Sequence, residues 1–265
     1  MALSHGASHT KTKGAPDYDD PEFWDVKFAT GQDVGEWLNP GEVLLEAVLS
    51  DLERRHSTSL AAGARPRVLH LGPGVSKLGT KLCEMFVERG WVGNGIVNVD
   101  FSAEAVRLGQ EYESKKEVND AMMHWQQADL RSWTDMSSLS PSAPFDVILD
   151  KSTSDAISTS PDQTYSPSSD VSTTCPIVNE IVTSQNREIA FSPVELLGLH
   201  LVPLTQKGST WIVLSYSTMR FDNIPHVSVY WDVVSRTPME APAGNVSSAA
   251  HAPKVFHWVY ILQRK

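Results

Sequence analysis

The chain contains little cysteine and no long run of apolar residues. Cys83 and Cys175 are the two cysteines among 265 residues, too few and too far apart for a disulfide framework or a zinc motif. No apolar stretch is long enough to cross a membrane. These absences exclude a small disulfide-stabilised secreted domain, and they predict a cytoplasmic protein with no metal site and no membrane partner.

Clusters of basic residues are also missing. The formal net charge is −10, and lysines and arginines form no long run. Because binding to nucleic acid depends on clustered positive charge, we expect no nucleic-acid partner. A basic segment of a protein or a cationic small molecule suits the acidic charge, although the same charge also serves simply to keep a protein in solution.

Two stretches lack the periodic apolar pattern of ordered structure. Residues 1–16 are rich in His, Ser, Thr and Lys and contain no apolar signal core, which predicts a disordered N-terminal lead. Residues 158–176 are dominated by Ser, Thr, Pro and Asp, which predicts an irregular or mobile insert outside the sheet. We expect residues 17–265 to form one domain that carries this insert.

Short apolar runs typical of strands alternate with longer runs of helical periodicity. This alternation predicts an α/β fold with a doubly wound, mostly parallel sheet of seven strands, in which the last two runs form an antiparallel hairpin at the edge. The predicted strands cover residues 67–71, 95–99, 122–128, 145–149, 209–216, 227–234 and 255–262, and the main predicted helices between them cover residues 76–90, 102–115 and 192–204.

A glycine-containing turn follows the first predicted strand. Gly72 and Gly74 flank a proline there and allow a ligand to approach the backbone closely, while the helix that follows offers free N–H groups. The second strand ends in Asp100. A carboxylate at that point suits the two hydroxyls of a ribose, so the sequence predicts a nucleoside site.

Polar side chains come at the ends of neighbouring predicted strands. His70 belongs to the first strand, Asp129 follows the third, and Asp150 and Lys151 follow the fourth. Ligands of open α/β sheets bind outside these carboxyl ends, which predicts a crevice along this edge. Taken singly, each aspartate fits a helix cap or a turn equally well.

The motifs at these positions resemble those of the class I S-adenosylmethionine-dependent methyltransferases. They read Leu-Gly-x-Gly-x-Ser-x-Leu, Val-Asp-Phe-Ser, Asp-Leu-Arg and Phe-Asp-Val-Ile-Leu-Asp-Lys-Ser-Thr-x-Asp-Ala. Within that superfamily the chain is similar to the branch that contains lysine methyltransferases of translation elongation factor one-alpha. The branch has an aromatic-Trp-Asp motif near its start, as Phe23-Trp24-Asp25 here, and a glycine where this chain has Ser152.

The resemblance implies a Rossmann-like methyltransferase domain with S-adenosylmethionine as its cofactor. Asp100 would hold the ribose hydroxyls, and Phe101 would lie against the adenine. Asp129 and Leu130 would meet the adenine amino group and ring. Trp37 would help to close the pocket from the N-terminal side, together with the tryptophan of the aromatic-Trp-Asp motif, although core packing explains both tryptophans equally well.

The resemblance assigns the methionine end of the cofactor to the first and fourth strands. Gly72 and Gly74 would pass close to the methionine part, and Asp150 would lie near the transferring methyl or the methionine amine. His70 stands where many members of the superfamily carry an acid. The long polar insert departs from the compact relatives, at the place where the acceptor would approach.

The acceptor that the resemblance implies is a lysine of a protein substrate. A lysine at pH 7 must lose its proton first, at a cost of about 4.6 kcal/mol for an ordinary pKa. Asp150 is the first candidate to orient the amine and Tyr216 the second, while Lys151 is expected to pair with Asp155 or Asp129.

Three other functions remain open from the sequence. The chain could methylate a small molecule on nitrogen, sulfur or oxygen, with the insert as a lid. It could also be a methyltransferase-like binding module without activity. A dinucleotide-dependent oxidoreductase fits less well, because the third glycine of the G-x-G-x-x-G spacing is absent.

Overall fold

The computed structural model describes residues 16–31, 36–56, 65–117, 121–242 and 254–265. All but the last residue of the predicted N-terminal lead, 1–16, lies outside the described residues. Within the described ranges no helix is long and apolar enough to cross a membrane, and no group of three or more His, Cys, Asp or Glu side chains is arranged to hold a metal ion.

The main sheet has seven strands in the order β3-β2-β1-β4-β7-β9-β8. The first five run parallel, β9 runs antiparallel to β7, and β8 pairs antiparallel with β9 at the edge. This arrangement confirms the predicted fold. The strands are β1 Val68–Leu71, β2 Ile96–Asp100, β3 His124–Gln127, β4 Phe145–Lys151, β5 Gln163–Tyr165, β6 Ile189–Phe191, β7 Thr205–Ser215, β8 Trp231–Glu240 and β9 Phe256–Arg264.

Helices cover both faces of this sheet, and the central strands are buried on both sides as their apolar runs predict. In β4, Val147 packs into the core beneath α2 and α3, whereas Ile148 packs into the core formed with α7 and α8. The helices are α1 Pro21–Ala29, α2 Glu42–His56, α3 Leu78–Glu88, α4 Ala103–Ser114, α5 Trp133–Ser137, α6 Thr153–Ile157, α7 Pro176–Gln185 and α8 Pro193–His200.

Two of the predicted elements include a 3-10 turn in the structure. The run predicted as a strand at 227–234 begins with a short 3-10 turn, and β8 starts at Trp231. The turn buries Val227 against Gly198, so packing on α8 overrides the strand pattern there. The helix predicted at 192–204 ends at His200 and continues as a 3-10 turn that contains Pro203, which has no backbone N–H for an α-helix.

The polar insert is more regular than its composition predicts. β5 lies inside it and pairs antiparallel with β6 in a separate two-stranded sheet. The Asp170 carboxylate accepts the N–H and the hydroxyl of Ser172, and the Asp170 carbonyl accepts the Thr174 hydroxyl at 2.7 Å. These local hydrogen bonds stabilise the conformation of a segment that apolar burial alone would not order.

Candidate functional site

A cavity of about 400 Å³ lies at the carboxyl ends of β1, β2 and β4, where the sequence predicts a crevice. Its volume is within the usual range for a site that binds a small ligand or cofactor. Eight of the predicted residues line it: Trp37, Gly72, Gly74, Asp100, Phe101, Asp129, Leu130 and Tyr216. The predicted site residues His70 and Asp150 do not.

The glycine bend forms the floor of the cavity. Gly72 and Gly74 both have a φ of +52°, a conformation that side chains other than glycine rarely adopt. The Gly72 N–H donates to the Val99 carbonyl at 2.8 Å, which fixes the bend to the end of β2. A Cβ on Gly72 would lie 2.4 Å from the Thr153 hydroxyl oxygen, so only glycine fits there.

The Asp100 carboxylate lies beside this bend. Its Oδ2 accepts the Gly74 N–H and its Oδ1 accepts the Ser102 N–H, both at 2.9 Å. Burial raises the pKa of Asp100 to about 6, although these backbone hydrogen bonds oppose the shift. A carboxylate has about four acceptor positions, so positions remain for the two hydroxyls of a ribose. The site therefore fits a nucleoside ligand.

At the opposite end, Asp129 lies against Arg131 instead of standing free. Its Oδ2 is 2.8 Å from the arginine Nη2, and the same guanidinium also donates to Ser160. Phe101 and Leu130 add apolar surface beside it. This end of the cavity therefore offers apolar contacts for a ring and a carboxylate that is already neutralised by an arginine.

The N-terminal segment closes the cavity with an aromatic wall, formed by Tyr18, Trp24, Phe28 and Trp37. Trp24 and Phe28 stack at a centroid distance of 5.6 Å, one helical turn apart on α1. Trp37 packs edge-on against Tyr18 at 5.4 Å. Tyr18 and Phe28 are not among the predicted residues, although the i, i+4 spacing of Phe28 from Trp24 is a usable signal in the sequence.

Two carboxylates attach this segment to the starts of α3 and α4. Asp25 accepts the Ser102 hydroxyl and, at 3.0 Å, the Glu104 N–H. Glu36 accepts the Lys77 N–H at 2.9 Å and the Lys151 ammonium at 2.6 Å. The expected pairing of Lys151 with Asp155 or Asp129 is therefore wrong.

The pKa of Glu36 reflects this attachment. Partial burial pushes the pKa of Glu36 up, but the hydrogen bonds from Lys151, Lys77 and Ser76 outweigh burial and leave it below its ordinary value. Acidic side chains at helix starts are also favoured by the free N–H groups there. The aromatic wall is therefore attached at both of its ends.

Asp150 is fully buried beneath the cavity instead of facing it. Its Oδ1 accepts the N–H groups of Thr153 and Ser154 at the start of α6, and its Oδ2 has no hydrogen-bond partner. Burial raises its pKa to about 7, and the nearby charge of Asp155 adds to the shift. The predicted contact between Asp150 and an amine or methyl in the cavity has no counterpart in the structure.

His70 faces away from the cavity, toward α3. Its ring packs against Gly79, and Nδ1 lies 2.9 Å from the Asn98 side-chain oxygen. Burial lowers the pKa of His70 to about 4, so the ring is neutral at pH 7. The predicted cofactor contact of His70 fails because the side chains of a strand alternate between faces, and His70 shares the face of Val68.

Asp155 connects the loop after β4 to the loop after β7. The carboxylate accepts hydrogen bonds from the hydroxyls of Ser152 and Ser215, from the Tyr216 N–H and from Arg220. Asp155 and Tyr216 both line the cavity. Asp155 appeared in the sequence motif only as a partner for Lys151, and no sequence signal marked Arg220.

Comparison with known proteins agrees with this fold. The methyltransferase srdJ of Neurospora crassa is 28% identical over 257 residues, which span 96% of this chain and 87% of that protein. One similar solved structure is that of magnesium protoporphyrin IX methyltransferase from Synechocystis with bound S-adenosylmethionine. The alignment covers 96% of this chain and 100% of the Synechocystis chain, with a TM-score of 0.52 and 11% identity.

A second solved structure, an S-adenosylmethionine-dependent methyltransferase from Anabaena variabilis, covers 97% of this chain and 99% of that chain at a TM-score of 0.51 and 12% identity. The chain has the fold of a class I S-adenosylmethionine-dependent methyltransferase. The methyltransferase relative and the shared fold agree with the predicted enzyme class and the predicted cofactor. No protein-family model matches the chain. None of these relatives identifies a methyl acceptor for this chain.

Proposed function

We propose that this methyltransferase acts on an amine, with a lysine of a basic protein segment as the first candidate. The contact of Asp100 with the glycine bend carries the cofactor half of this proposal, because it places a carboxylate beside the turn that a nucleoside must approach. The net charge of −10 supports a cationic acceptor. The resemblance to the elongation-factor branch supports lysine.

The bound cofactor supplies a methyl group that is already activated on a sulfonium. The chain's residues therefore have to align the acceptor, exclude water and help it to lose its proton. The aromatic wall removes water from one side of the cavity and lowers the pKa of an amine that enters it. The hydroxyl of Tyr216, which also lines the cavity, would orient the nitrogen.

We assign Asp150 a positioning role. Its carboxylate organises the first turn of α6, which carries Thr153 and Asp155 to the cavity.

Cys83 and Cys175 are both buried and unpaired, which supports the cytoplasm as the site of action.

A small-molecule acceptor is the second candidate. The aromatic wall covers the cavity and is attached on two sides by Asp25 and Glu36. Such a cover suits a small acceptor that is enclosed whole, whereas a protein side chain would have to pass the cover's edge.

The deciding experiment uses methyl-labelled S-adenosylmethionine and cell lysate. The first candidate predicts label in a protein band after small molecules are removed. Hydrolysis of that band should then yield labelled methyllysine. Label confined to the small-molecule fraction would support the second. Lack of transfer, together with normal binding of the cofactor in calorimetry, would exclude both for that lysate and favour a binding module. The Asp100→Ala variant is the control for label that arises without the site.

A further inference from the structure

Arg220 does not line the cavity, but its side chain lies beside the ring of Tyr216. The Arg220 guanidinium carbon is 5.5 Å from the centre of the Tyr216 ring, within the range of a cation–π contact. Tyr216 lines the cavity and is 54% exposed. An exposed side chain keeps its rotamer freedom unless a neighbour restricts it.

The guanidinium is itself fixed by Asp155. The Nε and Nη2 atoms of Arg220 both lie 2.8 Å from Oδ1 of Asp155, and the two side chains are 10% and 2% exposed. The other oxygen of Asp155 accepts the backbone N–H of Tyr216 at 3.0 Å. One buried carboxylate therefore fixes both the backbone of Tyr216 and the cation in cation–π contact with its ring.

We propose that Arg220 is a positioning residue for methyl transfer, which holds the Tyr216 ring so that its hydroxyl faces the acceptor. The proposal rests on the proposed function of the cavity. The guanidinium binds Asp155 through two N–H groups, and its carbon lies 5.5 Å from the centre of the ring. A lysine keeps the charge but has neither the flat face nor the paired donors, so it cannot replace the arginine.

The first test observes the ring directly and needs no acceptor. The chain contains six tyrosines, so 3-fluorotyrosine labelling gives few fluorine resonances, and Tyr216→Phe assigns the one from Tyr216. In Arg220→Lys we expect this resonance to move toward the value of free fluorotyrosine, while the others stay in place. An unchanged Tyr216 resonance in a folded variant would overturn the proposal.

Arg264→Lys is the matched control. Arg264 stacks on Tyr230 with its guanidinium carbon 5.3 Å from the ring centre, at the end of β9 remote from the cavity. The control should move the Tyr230 resonance and leave that of Tyr216 unchanged. If Arg220→Lys does not fold, as judged by thermal unfolding, Arg220→Gln takes its place, since it also removes the cation.

The second test asks whether the ring's position matters for transfer. The probe is the initial rate of label transfer from methyl-labelled S-adenosylmethionine to whole lysate, for Arg220→Lys, Tyr216→Phe and the double variant. We expect each single variant to be at least about tenfold slower and the double variant no slower than the worse single one, because both act through one hydroxyl. Cofactor affinity by calorimetry should stay within about twofold in all three.

Multiplying effects in the double variant would overturn the proposal, since Arg220 would then act independently of Tyr216. Unchanged transfer in Arg220→Lys would also overturn it. If the wild-type chain transfers no label, the proposed function fails, and the fluorine spectra still decide separately whether Arg220 fixes the Tyr216 ring.

Discussion

The Oδ2 atom of Asp100 accepts the backbone N–H of Gly74 at 2.9 Å, which joins the end of β2 to the glycine bend after β1. Asp100→Asn keeps the shape of the side chain and removes its charge. We expect the variant to lose roughly 1–3 kcal/mol of binding free energy for S-adenosylmethionine, because hydrogen bonds to a charged acceptor are lost. Isothermal titration calorimetry measures this loss. Asp232→Asn on β8, whose side chain is 63% exposed, is the control and should bind normally.

The same carboxylate predicts a pH dependence of cofactor binding. The pKa of Asp100 is about 6 in the unliganded chain, and the ribose hydroxyls would bind its ionised form. Protonation competes with the ligand, so affinity of the wild type should fall as the pH decreases through about 6. The asparagine variant should show a flatter profile. Identical profiles for the two chains would contradict the placement of the ribose.

Gly72→Ala should destabilise the fold by about 2 kcal/mol or more, since it combines an unfavourable backbone conformation with a clash. Its φ is +52°, and a Cβ would meet the Thr153 hydroxyl oxygen at 2.4 Å. Gly90→Ala is the matched control, with a φ of +73° and no atom within 4 Å of its Cβ. Urea unfolding of both variants separates the clash from the backbone strain. Equal losses would show that Thr153 does not restrict the bend.

Ser152 has a φ of +65°. It stands at the position where the elongation-factor branch, which the chain resembles, has glycine. Its hydroxyl donates to Asp155 at 2.7 Å. Ser152→Gly and Ser152→Ala both lose this hydrogen bond, but glycine alone removes the backbone strain. We therefore expect the glycine variant to be more stable than the alanine variant by about 1 kcal/mol in chemical unfolding. A more stable alanine variant would contradict this account of the turn.

Asp150 predicts a pH dependence of stability. Its pKa of about 7 in the folded chain exceeds the ordinary 3.8, so between these values the folded chain holds more protons than the unfolded one. The free energy of unfolding contributed by this group therefore falls as the pH rises through that window.

Asp150→Asn removes this titration and keeps an oxygen that accepts from the start of α6. The stability of the variant relative to the wild type should therefore increase with pH, by on the order of a few kcal/mol across the window. Asp100 titrates in both chains and cancels in the difference. Urea unfolding at several pH values measures it, and a constant difference would exclude Asp150 as the titrating group.

Local features of the sequence predicted the fold and the bend well. Central strands such as Phe145–Lys151 are buried on both faces, so they read as apolar runs whatever lies around them. The bend at Gly72 and Gly74 depends on the backbone freedom of glycine, which is a property of the residue itself. The position of Asp100 beside the bend was predictable because this residue ends the neighbouring strand.

The direction of polar side chains at strand ends was harder to predict. Asp150 and Lys151 are neighbours in β4 and point to opposite faces, so a one-residue difference decides which of them reaches the cavity. Lys151 lines the cavity and Asp150 does not. The hydrogen-bond partners of these side chains were harder still to predict, because Glu36 and Lys151 are 115 residues apart in the chain.

The order of apolar runs and glycines thus determined by itself the layered sheet, the bend and the carboxylate beside it, because these depend on each residue's own size, polarity and backbone freedom. Only the tertiary structure decided that Glu36 binds Lys151, that His70 faces α3 and that Asp155 holds Arg220 against Tyr216. Such pairs form between segments distant in the chain, and their geometry is set when the sheet and its loops pack together.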